Sequence, residues 1–197
     1  RIGCEKYKKL YNTYGVSTLN KSHFKINEKN ITIEFIGKKG VVNRDVITNA
    51  TICRILKNLC NSNYDYIFYY IDDKNNKFRI TEKHINQYLK KYHHTITVKM
   101  FRTWNANHSL LKQLLNLELP DSQNKANKNV SIAIKKAALE LHHSTNVSKK
   151  NYMNTDIIHL YTTNPIKFKR LIEFFRKTNG HLPTTDRLLN LILNAIN

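Results

Sequence analysis

Residues 31–48, ITIEFIGKKGVVNRDVIT, carry the clearest periodicity in the chain. Ile31, Ile33 and Phe35 alternate with Thr32 and Glu34, the two-residue period of a strand with one buried face. Gly-Lys-Lys-Gly at 37–40 interrupts the pattern as a turn, and β-prone residues resume at Val41. The expectation is a hairpin of strands Ile31–Gly37 and Val41–Thr48 with Lys38 and Lys39 at its exposed tip. On the N-terminal side, Val16–Leu19 and His23–Ile26 read as further short strands, with a turn at Asn27–Asn30. The first third of the chain is thus expected to be a small antiparallel sheet.

Beyond residue 50 the apolar spacing changes to that of helices. Ile52, Ile55, Leu56 and Leu59 share one face, and so do Ile85, Tyr88, Leu89 and Tyr92, with Thr81 as N-cap. Further stripes are Phe101, Trp104, Leu111, Leu114 and Leu115, then Val130, Ile134, Ala138 and Leu141. Asn164-Pro165 opens a helix that Gly180 is expected to close, and a last helix spans Thr185–Asn197. Pro120–Lys128 reads as a loop, and Tyr64–Ile71 is aromatic and β-prone without a clear place. The fold class is α+β: a small antiparallel sheet at the N-terminal side, followed by a mainly helical body, read as one domain over 1–197.

The chain has 197 residues, of which 41% are hydrophobic, enough to build a core. Lys and Arg number 33 against 14 Asp and Glu, a net charge of +19, and a field of that sign favours a polyanion as partner. Abundant Lys, Asn and Ile also fit an AT-rich coding bias, so charge alone does not name that partner. Cys4, Cys53 and Cys60 make no CxxC pair, which suggests neither a disulfide framework nor a zinc site and fits a reducing compartment. No apolar run is long enough to span a membrane, and no signal peptide is evident. There is no Walker A loop, EF-hand loop or HExxH, so no cofactor and no metal is expected. The first residue is Arg, not Met, and the expectation is a fragment of a longer protein.

Four stretches carry a family likeness: RIGCEKY at 1–7, EFIGKKG at 34–40, VKMFRTW at 98–104 and HHSTNVSKKNYM at 142–153. In this order and spacing they resemble the poxvirus-like type IB DNA topoisomerases, across residue 1 to at least residue 155. The resemblance implies the catalytic fold shared by those enzymes and the tyrosine recombinases. It also implies that a smaller N-terminal clamp domain lies outside this chain. The implied activity is transient cleavage of one DNA strand through a 3′-phosphotyrosyl link, strand rotation and resealing, without ATP or metal. The implied partner is double-stranded DNA, held by a monomer acting as a clamp with no membrane role. The implied location is a virion or the host-cell compartment of viral DNA synthesis, or otherwise an intracellular site with DNA.

Residue by residue, the resemblance makes Tyr152 the nucleophile, Arg1 and Arg102 the phosphate-binding arginines and His143 a donor to a non-bridging oxygen. Lys38 is the general acid, and Lys99, in the Lys-x-x-Arg pattern, assists proton transfer. Tyr7 and Asn107 fall where the family has supporting DNA contacts, and Lys39, Lys149 and Lys150 would favour backbone phosphates. These residue types suit the chemistry. The planar guanidinium fork grips two phosphate oxygens, a lysine can release a proton, and a phenol oxygen can store the bond energy as a phosphodiester. Two positions depart from the family pattern: Cys4 stands where a basic residue is common, and Lys39 where an acidic one is. Two alternatives remain. A tyrosine recombinase shares the chemistry, but its signature usually has His, not Lys, at the position of Lys99. A non-catalytic DNA-binding module would use the charge without Tyr152.

Overall fold

The computed structural model describes residues 1–142, 144–178 and 184–196, which form two compact units, Arg1–Val98 and Lys99–Asn197.

In the N-terminal unit, β1 (Phe24–Ile26), β2 (Ile31–Ile36) and β3 (Val42–Ile47) pair antiparallel in that order, with Ile31 opposite Ile47 and Ile36 opposite Val42. The expected hairpins are present, closed at Asn27–Asn30 by the Asn27 N–H donating to the Asn30 carbonyl at 2.9 Å. Helix α2 (Ala50–Cys60) starts where the Asn49 side chain accepts from the Ile52 N–H, satisfying one of the amides that a helix start leaves open. The core of this unit joins Leu19, Phe24, Ile31 and Ile67 to Cys53, Leu56 and Cys60 of α2. Each fully buried aliphatic side chain there is worth about 1.5–3 kcal/mol of transfer free energy. This corrects the expected α2 face. The helical period is right, but Ile52 and Ile55 are exposed and the two cysteines take the inner positions. Burial pushes the Cys60 thiol above its usual range, and all three cysteines are free.

One expected strand is absent, and one unplaced stretch finds its place. Val16–Thr18 is a 3₁₀ turn, not a strand. Tyr64–Ile71 contributes the bridge partner of Asn20 at Tyr66 and then β4 (Tyr69–Ile71), which pairs with β5 (Lys77–Arg79). The connection closes because the Asp72 carboxylate accepts from the Lys74 and Asn76 N–H groups, while Asn75 takes φ 64°. Before them comes α1 (Glu5–Tyr11), and after them α3 (Glu82–Lys90), whose N-cap residue Thr81 gives its N–H to His84 Nδ1.

The second unit is helical: α4 (Val98–Leu115, its first residue belonging to the N-terminal unit), α5 (Gln123–Glu140), α6 (Thr145–Asn151), α7 (Thr155–Thr163), α8 (Pro165–Thr178) and α9 (Thr185–Ile196). Helix α5 begins inside the stretch expected to be a loop, because Ser122 Oγ caps the Lys125 N–H. At α8 the expected Asn-Pro opening is seen, with Asn164 Oδ1 accepting from the Lys167 N–H at 2.9 Å. Gly180, the expected terminator, lies outside the described residues. The core packs Ala106, Leu110 and Leu114 of α4 against Ala133, Ile134 and Ala137 of α5, with Ile157, Tyr161, Phe168, Ile172, Leu189 and Ile192. Small residues on α5 let α6 and α7 approach it closely. The start of the α4 stripe departs from the expected core: Phe101 is 55% exposed and Trp104 36%, with Trp104 Nε1 donating to Asp186 at 2.7 Å.

Candidate active site

In the N-terminal unit the backbone of Arg1 is held although the residue opens the chain. Its carbonyl accepts from the Val16 N–H at 2.8 Å, and the Ile2 carbonyl accepts from the Ser17 N–H at 2.6 Å. The 3₁₀ turn at Val16–Thr18 thus serves the terminal segment instead of extending the sheet. Two glycines make the approach possible. A Cβ on Gly15 would stand 2.6 Å from the Arg1 carbonyl oxygen, and Gly3 adopts φ +88° beside it. The Arg1 side chain is exposed, as is Tyr7 on α1, which stacks on Tyr11 with ring centroids 5.9 Å apart.

Lys38 and Lys39 stand exposed between β2 and β3, where the sequence places them. The tip is tight. The Gly37 N–H donates to the Val41 carbonyl at 2.7 Å and the Gly40 N–H to the Gly37 carbonyl at 3.1 Å. Lys39 takes φ 67° and Gly40 φ 73°, so the chain reverses within the two residues after Lys38. Lys38 is therefore carried on a short, hydrogen-bonded tip and not on a long loop.

In the second unit, Lys99 is exposed in the first turn of α4 and Arg102 is half-buried three residues on, so the two share one side of the helix. Lys149 and Lys150 are exposed in the last turn of α6, where cations favour the negative end of the helix dipole. Tyr152 follows directly as the C-cap of α6, half-buried, its ring packed against the core of the unit. The Ser148 carbonyl accepts from both the Tyr152 and Met153 N–H groups at 3.1 Å, and Met153 is buried as an anchor. Asn154 then caps α7 by accepting from the Asp156 and Ile157 N–H groups. Tyr152 therefore sits in a sharp junction between two helices. His143 lies outside the described residues.

Asn107 is the residue whose place differs most from the sequence reading. Expected as a supporting DNA contact, it is 5% exposed, and all its amide groups are engaged inside the protein. Nδ2 donates to the Thr103 and Tyr152 carbonyls, each at 2.9 Å, and Oδ1 accepts from the Asn154 N–H at 2.6 Å. From the middle of α4 it grips the backbone on both sides of Met153. Asn107→Ala would remove the part-buried bonds to the Tyr152 carbonyl and from the Asn154 N–H, at a cost of about 0.5–1.5 kcal/mol each. The expected outcome is a lower urea midpoint, followed by fluorescence of Trp104, the only tryptophan. An unchanged midpoint would show that the bracket contributes nothing.

Among the described residues no cluster of His, Cys, Asp or Glu could hold a metal ion, and no helix is long and apolar enough to cross a membrane.

Comparison with known proteins agrees with the likeness seen in the four stretches. The family model described as the eukaryotic DNA topoisomerase I catalytic core matches residues 1–174. The DNA topoisomerase 1B of Acanthamoeba polyphaga mimivirus is 34% identical over 200 residues, covering 98% of this chain and 57% of its own length. The DNA topoisomerase I of Monkeypox virus and the DNA topoisomerase 1B of Vaccinia virus (strain Copenhagen) are each 26% identical over 199 residues, covering 100% of this chain and 57% of their own length. The chain thus spans little more than half the length of these relatives. With a sheet at the N-terminal side, a helical body and a matched catalytic core, the chain belongs to the type IB DNA topoisomerase family.

Proposed function

We propose that residues 1–197 form the catalytic domain of a type IB DNA topoisomerase that nicks and reseals one strand of duplex DNA through Tyr152. The observation that carries this reading is the construction of the second unit. One helix, α4, presents Lys99 and Arg102 and, about 7.5 Å further along its axis, the Asn107 carboxamide that brackets Tyr152. A phosphate-binding arginine and the tyrosine backbone are thereby referenced to the same rigid element, as in-line attack at phosphorus needs.

The steps follow from the residue chemistry. A free phenol has a pKa of about 10, so Tyr152 needs a positive field to release its proton to solvent and attack as phenolate. Arg1, Arg102 and His143 supply that field and hold the non-bridging oxygens as charge builds on them. Tyr152 Oη bonds to phosphorus, the bond to the 5′-oxygen breaks, and Lys38 gives that oxygen its proton, with Lys99 assisting. Tyr7, Lys39, Lys149 and Lys150 bind the flanking backbone. The nicked strand rotates, and the 5′-hydroxyl attacks the phosphotyrosine to reseal the duplex. The bond energy is kept in the protein–DNA link, so no ATP is required. The protein acts as a monomer, one part of a clamp, wherever the DNA it relaxes is located.

Incubation with supercoiled plasmid in EDTA, with an SDS quench, tests the reading. Relaxed topoisomers and an SDS-stable protein–DNA adduct are expected. Adduct without relaxation would favour a recombinase, and binding with neither product would leave a DNA-binding module.

Binding itself is expected to be steeply salt-dependent, because each phosphate neutralised adds about −0.9 to the slope of log affinity against log salt. The net charge of +19 cannot all face one duplex, and contact with about five phosphates gives a slope of about −4 to −5. Fluorescence anisotropy of a labelled duplex between low and moderate salt measures it. A flat response contradicts DNA as the partner.

A further inference from the structure

Near the Arg1 segment, a group of charged and polar side chains is joined to it on two sides. Arg79, the last residue of β5, is 19% exposed at its side chain. Its Nη1 donates to Ser17 Oγ at 3.1 Å and to the Ser17 carbonyl at 3.3 Å, and its Nε stands 3.7 Å from Glu5 Oε2. Ser17 is the residue whose N–H holds the Ile2 carbonyl and whose hydroxyl donates to the Gly3 carbonyl at 3.3 Å. Glu5 opens α1, directly after the same segment. Arg79 thus links the turn that grips residues 1–3 to the helix that follows them.

The linkage has further support. Tyr66 donates its hydroxyl proton to Glu5 Oε2 at 2.8 Å and accepts from Lys8 Nζ at 3.0 Å, and its ring lies beneath both cations, 4.3 Å from Lys8 Nζ and 5.4 Å from the Arg79 guanidinium carbon. Partial burial works against the Lys8 charge, but the Tyr66 hydroxyl and Glu5 outweigh it and hold the ammonium above its usual range. Ser17 is 1% exposed, so the Arg79 bonds to it are shielded from water and strengthened accordingly. A cation whose Nη1 and Nε are engaged in this way is set up to order protein.

We propose that Arg79, paired with Glu5 and Tyr66, is a positioning residue for Arg1: it fixes the backbone from which the Arg1 guanidinium reaches the phosphate. The proposal rests on the strand-cleavage reading given above, in which Arg1 stabilises the transition state. Arg79 acts through Arg1 and touches no reacting atom. Removing it leaves the residues 1–3 segment held by Val16 and Ser17 without the brace behind them, and displacement of a reacting group by about 1 Å can cost about 100-fold in rate.

The test is a double-mutant cycle. Single-turnover formation of SDS-stable adduct on plasmid DNA is measured for the 197-residue chain and for Arg79→Gln, Arg1→Ala and the double variant. Arg79→Gln is expected to cleave about 10- to 100-fold more slowly with unchanged DNA affinity, and to add nothing, within about twofold, in the Arg1→Ala background. Glu5→Gln keeps a hydrogen-bonding partner for Tyr66 and loses only the charge, so a smaller defect of the same kind is expected. Hydrogen exchange gives an independent readout: the Val16 and Ser17 amides should exchange faster in Arg79→Gln while those between β2 and β3 keep their protection. The proposal fails if the Arg79→Gln defect persists in full without the Arg1 side chain, if it is explained by weaker DNA binding, or if the two amides exchange as before. Arg1→Ala cleaving as fast as the parent would remove the role of Arg1 and the proposal with it, leaving Tyr152 untouched. If the parent forms no adduct at all, the strand-cleavage reading falls, and exchange at Val16 and Ser17 alone decides whether Arg79 braces the segment.

Discussion

Tyr152→Phe is expected to abolish the SDS-stable adduct while leaving DNA affinity within a few-fold of the parent. The substitution removes one oxygen. The ring packs against the core of its unit, and the bonds that set its backbone run through main-chain atoms, from Ser148 on one side and Asn107 on the other. These main-chain bonds are kept in the Phe variant, so the backbone between α6 and α7 retains them. Lys149 and Lys150 remain to attract the DNA backbone. What disappears is the only atom at this position able to bond to phosphorus, so the loss should be complete, not graded. Adduct mapping by peptide mass spectrometry reads the outcome. An adduct that persists in the Phe variant, carried by another of the 11 tyrosines, would overturn the assignment of the nucleophile.

Much of the architecture was legible because it rests on periodicity. The two-residue alternation of Ile31, Ile33 and Phe35 gave the hairpin and hence the exposed tip with Lys38 and Lys39, as observed. The helical stripes gave the body. What failed were features that periodicity does not encode. Val16–Thr18 is β-branched at Val16 and Thr18, yet its amides are used by the Arg1–Gly3 segment, a partner distant from the local pattern. On α2 the stripe of isoleucines looked like the inner face, but the cysteines one residue on are equally apolar in a core and fill the space against Ile31 and Ile67. Gln123–Lys128 is polar except at Ala126, and that polarity suggested a loop; the Ser122 cap starts a helix there regardless.

The candidate site was legible to a different degree. Arg1, Lys38, Lys99, Arg102, His143 and Tyr152 were named from family likeness, and their roles remain proposals. Asn107 and Arg79 show the limit of that approach. A carboxamide in a helix can face water, DNA or the core, and its spacing from Arg102 does not say which. Only the position of the Tyr152–Asn154 backbone reveals that both its amide nitrogen and its oxygen are engaged inside the protein. Arg79 belongs to a hairpin that the sequence reading did not resolve, so its link to Ser17 and Glu5 could not be seen before the strands were paired.

Lys38→Ala is expected to slow cleavage of an ordinary phosphodiester by about 10²–10⁴-fold, the span typical of a general acid. The reasoning starts from the tip. Gly37 and Val41 close the turn, and Lys39 and Gly40 both take left-handed backbone, so the reversal depends on main-chain bonds and not on the Lys38 side chain. The β2–β3 pairing from Ile31–Ile47 to Ile36–Val42 lies outside the substituted position. Truncation should therefore leave the hairpin intact and remove only a flexible cation. Two roles for that cation remain to be told apart, attraction of DNA and proton delivery to the departing 5′-oxygen. A substrate with sulfur in place of that oxygen separates them, because a thiolate leaves without a proton. If Lys38 is the acid, the variant should cleave the thio substrate at nearly the parental rate. If it merely draws DNA in, both substrates should suffer equally, and the defect should shrink as DNA concentration rises. Neighbouring Lys39 provides the control: it shares the tip and the charge, so Lys39→Ala should weaken binding modestly without creating a difference between oxygen and sulfur. Equal losses on both substrates for Lys38→Ala would return it to the DNA-binding set and leave the acid to be sought at Lys99.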